Sequence, residues 1–391
     1  MSSLRAARFI AVALALAAGG CKTVTDTYDR WFGSGRPAVA QKPAELVTIR
    51  PTAGVKVMWQ ASVGSADRDL FFPAVSGGVV YAAGAAGQIA GFDAGTGRPV
   101  MRAEAGQRLS GGVGVGQNLV LVGTPKGEVL AYGREGKLAW RAQLSSAVLA
   151  PPQAASGLVV ARAGDGRIYG LDAANGTRRW LYQRATPALS VRSHAGAVVF
   201  REGVYAGFPG GRLIALALGN GSVGWEGIVA LPRGATELER VADITSLPIV
   251  DERQACAVAF QGRIACFDAK SGTSLWARDV SSVAGMGADA RNFYVTDDRN
   301  AVVALDRTTG ASVWRQDRLF GRGVSTPLAF GRYVVVGDFQ GYVHILSRED
   351  GAFAARIATD GSAIGAAPVA LDLTSFVVQT RNGGVFAIAV Q

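Results

Sequence analysis

One phrase recurs along the chain about every forty residues: a glycine, an alternating strand, a turn ending in a second glycine and, in most copies, a tryptophan. It runs from Gly127 through Gly136 to Trp140, and from Gly166 through Asp172 and Gly176 to Trp180. It continues from Gly211 through Gly221 to Trp225, from Gly262 through Asp268 and Gly272 to Trp276, and from Asn300 through Asp306 and Gly310 to Trp314. Weaker copies start at Gly87 (Asp93, Gly97, Met101), Gly341 (Gly351, Arg356) and Gly384. The starts lie 40, 39, 45, 51, 38, 41 and 43 residues apart, which makes eight copies. A unit of that length cannot bury its own apolar face and must stack on its neighbours. With four short strands per unit, it is a β-propeller blade.

The stretch from 324 to 358 displays the four strands, at 324–330, 332–338, 342–347 and 352–358, separated by turn residues. The last copy ends at Val390, before any fourth strand, and the missing strand is available at the other end. Trp59, in Val57-Met-Trp-Gln-Ala-Ser-Val63, matches the tryptophan-bearing outer strand. Closing the ring with it removes the sheet edges that would otherwise invite aggregation. The expected fold is therefore all-β, an eight-bladed propeller over residues 55–391 with four antiparallel strands per blade and a ring closed by the N-terminal strand. The 52 glycines fit a fold with so many tight turns, and the many Val, Ile and Leu runs exclude disorder. In x-G-x the glycine is expected at a left-handed turn position, and each tryptophan is expected to seal one blade against the next. Pro73, Pro151, Pro248, Pro327 and Pro368 are expected to open inner strands.

Residues 1–20 read as an export signal: Arg5 and Arg8, then an apolar run from Phe9 to Ala18, then small residues. A run of about ten residues is far short of the ~20 that cross a bilayer. Ala18-Gly19-Gly20-Cys21 resembles the bacterial lipoprotein signal, in which cleavage precedes a cysteine that is then acylated. Cys21 is the expected lipidation site, and several acyl chains anchor stably. Lys22 in place of Asp points, by the enteric pattern, to the outer membrane. Residues 21–54 read as a tether, with Trp31 and Phe32 available to lipid or to a partner.

Function classes fall away quickly. The only histidines are His194 and His344, and no HExxH, CxxC, GxSxG or GxxxxGK[ST] string occurs, so no metal, catalytic or cofactor-binding residues are assigned. The formal charge of +10 falls to +8 once Arg5 and Arg8 are removed. The basic residues are scattered singly, which with export argues against nucleic acid.

Cys256 and Cys266 flank a turn at Gln261-Gly262. A three-residue loop would set them opposite each other at a close, non-hydrogen-bonded pair; a two-residue loop would oppose Cys256 to Phe267. The glycine at the third position favours the first register. A disulfide in an oxidising compartment and two small buried thiols both fit it. The two longest spacings, 45 and 51, both carry their extra residues after a tryptophan-bearing strand, at 181–196 and 226–244. Such connections emerge on one face of a propeller, and long loops on a rigid ring are where binding concentrates.

The phrase A-x-D-x-x-x-G-x-x-x-W resembles the pyrroloquinoline-quinone-type propeller repeat. More specific is Thr236-Glu-Leu-Glu-Arg240 followed by Val-Ala-Asp243-Ile-Thr245-Ser-Leu-Pro248, together with Lys42-Pro-Ala-Glu-Leu46 and Val336-Gly-Asp-Phe-Gln-Gly-Tyr342. With the lipoprotein signal, these resemble the BamB family of outer-membrane β-barrel assembly lipoproteins over nearly the whole mature chain. The resemblance implies a non-catalytic scaffold without a cofactor. Its partners would be the periplasmic (POTRA) domains of the barrel assembly subunit and nascent outer-membrane proteins. It also implies partner contacts at Leu189, Ser190, Val191, Arg192 and Asp243, with Thr245 where some members have a second acidic residue. Two other classes are a pyrroloquinoline-quinone-dependent dehydrogenase and a glycan-binding periplasmic propeller. The dehydrogenases resemble the chain in repeat only, and the vicinal cysteine pair that many of them carry has no counterpart here.

Overall fold

The tryptophan of each strong copy is a joint between one blade and the next. Trp140, Trp180, Trp225, Trp276 and Trp314 donate the indole N–H to a main-chain carbonyl of the following blade (Ala173, Leu218, Ala269, Arg307 and Arg348) at 2.8–3.2 Å. The ring then lies on the glycine that ends that blade's third-to-fourth strand turn, which reads D-x-x-x-G at Gly176, Gly272 and Gly310. A Cβ on Gly176, Gly221, Gly272, Gly310 or Gly351 would stand only 2.5–2.7 Å from the indole, and each has φ between +70° and +74°. Both the turn and the close approach demand glycine. One extra residue ahead of the tryptophan, such as Arg179, Leu275 or Val313, bulges the outer strand and re-aims the indole.

The computed structural model describes residues 42–391. The expected signal peptide (1–20), Cys21, Trp31 and Phe32 lie outside the described residues. Those described form 32 strands in eight four-stranded antiparallel sheets, and no helix. Blades 1 to 7 span residues 74–104, 111–143, 153–182, 197–228, 249–278, 285–316 and 328–358. Blade 8 joins residues 369–390 to the N-terminal strand Val55–Ser62, which pairs with Gly384–Val390 from Val55↔Val390 to Ser62↔Gly384. Trp59 thereby reaches from blade 8 to the Ala94 carbonyl of blade 1 at 2.8 Å and covers Gly97. The core lies between the sheets: Val80, Ala82 and Phe92 of blade 1 meet Val377, Val385 and Ala387 of blade 8. Burial on both faces is why the middle strands read as continuous apolar runs. The five prolines stand just ahead of inner strands, as at Pro73 before Ala74–Ser76 and Pro327 before Leu328–Phe330.

Two local expectations need correcting. In blade 5 the left-handed turn residue is Gln261 (φ 48°), not Gly262. Gly262 is required for room, because a Cβ there would stand 2.7 Å from that of Ala230. In blade 8 the position falls on Gly383 rather than Gly384. The compact unit that contains the propeller begins at Ala44.

Residues 44–54 form a strap down the side of blade 7. Ala44 donates to the Phe320 carbonyl (2.9 Å), and its own carbonyl accepts from Arg322 Nη1 (2.9 Å). The Val47 carbonyl accepts from Arg356 Nη1 (3.0 Å), and Thr52 donates to the Ala354 carbonyl (2.8 Å). Behind the strap, Asp338 accepts from Arg322 Nε (2.8 Å) and from His344 Nε2 (3.0 Å), all three being buried. The Lys42–Leu46 and Val336–Tyr342 segments thus meet through Arg322, which also bonds Gln340.

Candidate docking site

The second-to-third strand turns and the connections from each outer strand to the next inner strand share one face of the ring. The Leu109 amide of one such connection, for example, donates to the Ala85 carbonyl in a second-to-third strand turn (3.0 Å). Most connections are short; two are long, residues 183–196 between blades 3 and 4 and residues 229–248 between blades 4 and 5. Being consecutive around the ring, they lie side by side.

The second of these folds on a capping box. Glu239 N–H donates to Thr236 Oγ1 (3.2 Å), while Glu239 Oε2 accepts from the amides of Ala235 (2.8 Å) and Thr236 (3.1 Å). This accounts for Thr236-Glu-Leu-Glu239, and Arg240 Nε ties the turn back to the Gly234 carbonyl at 3.1 Å. The chain then enters the ring at Asp243, where it meets the first connection. Asp243 Oδ2 accepts from the Val191 amide (2.7 Å) and Oδ1 from the Gly210 amide (3.1 Å).

Asp243 is 3% exposed, and both of its carboxylate oxygens accept from amides within the chain. It fixes the backbone of the neighbouring connection at Val191. Thr245 is buried too, its hydroxyl donating to the Val283 carbonyl (3.0 Å). What reaches solvent is Leu189, Ser190 and the Arg192 side chain, with Val191 half-buried between them. Leu231, Leu238 and Leu247 of the second connection are also exposed, so the two segments carry apolar surface alongside the Arg192 cation.

Beneath them is a cavity of about 230 Å³ lined by Arg162, Asp165, Thr186, Ser190, Arg192 and Asp243. Burial pushes the Arg162 guanidinium down to about 10, against the opposing pull of Asp243, so it stays charged at neutral pH. It donates to the carbonyls of Gly207 (2.6 Å) and Ala195 (3.3 Å) and lies over the Phe208 ring. Arg162 and Asp69, described below, were not legible beforehand. A single Arg in a middle strand and an Asp in a connection carry no local signal.

Cys256 and Cys266 sit away from this site. They face each other across the blade 5 hairpin with Cα atoms 4.1 Å apart and are joined by a disulfide.

A closed eight-bladed propeller built on the pyrroloquinoline-quinone-type repeat, with one face elaborated by two long connections, defines the class. The family profile described as outer membrane protein assembly factor BamB matches residues 85–316 and 299–391. The chain is 42% identical over 392 residues to the outer membrane protein assembly factor BamB of Nitrosomonas eutropha, covering 99% of this chain and 96% of that relative. It superposes on the crystal structure of BamB from Moraxella catarrhalis with a TM-score of 0.79 at 26% identity, covering 86% of this chain and 100% of that one. The chain belongs to the BamB family. A quinohemoprotein alcohol dehydrogenase from Comamonas testosteroni shares the fold alone, with a TM-score of 0.69 at 13% identity over 86% of this chain and 76% of that enzyme.

Proposed function

We propose that this chain is a non-catalytic scaffold of outer-membrane β-barrel assembly, held by a lipid on Cys21 at the periplasmic face of the outer membrane. It docks on the POTRA domains of the barrel assembly subunit and aids insertion of nascent barrel proteins. The observation that carries this reading is the convergence of the two long connections on one face, pinned from inside by Asp243 so that Leu189 and Arg192 stand outward. An apolar anchor beside a cation that presents several N–H donors suits a partner surface with a carboxylate next to an apolar patch. The names of the relatives support the assembly role.

The test is co-purification with the barrel subunit from membranes of cells carrying Leu189→Ala with Arg192→Gln. Leu189 is exposed and a glutamine at 192 keeps an N–H donor for Asp69, so thermal stability should change little while binding weakens at least about tenfold, the loss of a charge contact being worth about 2 kcal/mol or more. Asp243→Ala is the contrasting variant, expected to lose binding and stability together. Undiminished capture of the barrel subunit by the Leu189/Arg192 variant would overturn the assignment.

A further inference from the structure

Arg192 is not left free on the surface. Its Nη2 donates to Asp69 Oδ1 at 3.1 Å, although 62% of the Arg192 side chain is exposed. Asp69 itself is 2% exposed in its side chain and belongs to the connection between blade 8 and blade 1. Its other oxygen, Oδ2, accepts from Arg108 Nη2 at 2.8 Å, and Arg108 reaches Asp67 with Nη1 at 2.8 Å. Arg192 lies in the connection between blades 3 and 4. The two attachment points are three blades apart, so this ion pair crosses the axial end of the ring instead of following its rim.

We propose that Asp69, backed by Arg108, is the positioning residue of the docking surface: it orients the Arg192 guanidinium toward a carboxylate of the partner. This rests on the docking reading above. Arginine has five N–H donors, and Asp69 takes one. The exposed remainder offers a fork to a second carboxylate. A free arginine side chain loses much rotamer freedom when a partner fixes it, and a guanidinium already held by a buried carboxylate loses less. Asp243 sets the backbone at Val191 while Asp69 sets the side chain one residue on. Docking geometry is thereby fixed from both sides of the ring.

The experiment measures the affinity of the mature chain for the purified POTRA domains by calorimetry, for Asp69→Asn, Arg192→Gln and the double variant. Asp69→Asn should weaken binding about five- to tenfold (the upper end being about 1.4 kcal/mol), and should add nothing in the Arg192→Gln background. An equal loss in both backgrounds would show that Asp69 acts by another route and would overturn the proposal. So would full affinity of Asp69→Asn when Arg192→Gln is impaired, with the docking reading left standing. Full affinity of Arg192→Gln would remove the docking reading and this proposal with it. If Asn at 69 disturbs folding, Arg108→Gln replaces it, keeping Asp69 and Arg192 but removing the carboxylate's second anchor. It should weaken binding only while Arg192 is present, and a loss independent of Arg192 would count against the proposal.

Discussion

At the scale of single residues, the most constrained group is His344. It is fully buried, with Nε2 3.0 Å from Asp338 Oδ2 and Nδ1 accepting from Arg356 Nε at 3.2 Å. A ring nitrogen that accepts from a guanidinium carries no proton, so the imidazole is neutral with its hydrogen on Nε2. Burial pushes its pKa below the ordinary value of 6.5, and the carboxylate of Asp338 only partly opposes this. His194 is shifted the same way, first by burial. The unfolded chain therefore binds more protons than the folded one between the depressed values and 6.5. Stability from this source is complete above about pH 6.5 and is lost as the pH falls through that value. The melting temperature should drop between pH 7.5 and 5.5. His344→Gln, which keeps a donor for Asp338, should flatten the slope and leave the share due to His194. An unchanged slope in that variant would mean that His344 is not titrating on unfolding.

At the scale of elements, the sequence was informative wherever the determining contact is short-ranged or repeats. Asp, Gly and Trp recur at fixed offsets because each tryptophan closes on the glycine of the next turn, so six joints speak with one pattern. The hairpin register at Cys256 and Cys266 was likewise contained in the turn, whose Ala259 amide donates to the Arg263 carbonyl (3.1 Å). The strap was not legible, because its partners, Arg322 and Arg356, stand about three hundred residues away and bond its carbonyls, which carry no residue identity. The burial of Asp243 escaped for the same reason: an acidic residue in a long loop looks exposed until the amides that fill its oxygens are placed. The blade 5 hairpin carries a prediction of its own. Bridging a loop of this length stabilises by about 3 kcal/mol in the chain-entropy account. Cys256→Ala with Cys266→Ala should lower unfolding stability by about that amount in denaturant titrations. The unmodified mature chain, denatured without reductant, should yield no label at either position; two labelled thiols would refute the bond.

At the scale of the whole molecule, the ring has one seam that no short turn spans. In blades 1 to 7 the outer strand is tied to its neighbour by the D-x-x-x-G turn or its equivalent, whereas Val55–Ser62 meets Gly384–Val390 only after the chain has travelled the entire circle. That pairing, and Trp59 over Gly97, close the propeller. Deleting residues 22–62 should leave the Gly384–Val390 strand as an open edge and blade 1 without its tryptophan cover. The side chain of a buried tryptophan alone is worth about 3–5 kcal/mol, and an unpaired edge of apolar strand recruits other chains. The shortened protein should therefore self-associate, seen by light scattering, and melt at lower temperature. A deletion ending at Pro43, ahead of the strap, should remain monomeric. Because the missing strand pairs by a defined register rather than by any covalent link, a synthetic peptide of residues 53–64 should restore the monomer when added in trans, and its Trp59→Ala version should do so poorly. A monomeric, fully stable chain lacking residues 22–62 would show that seven complete blades and a three-stranded eighth close without the N-terminal strand.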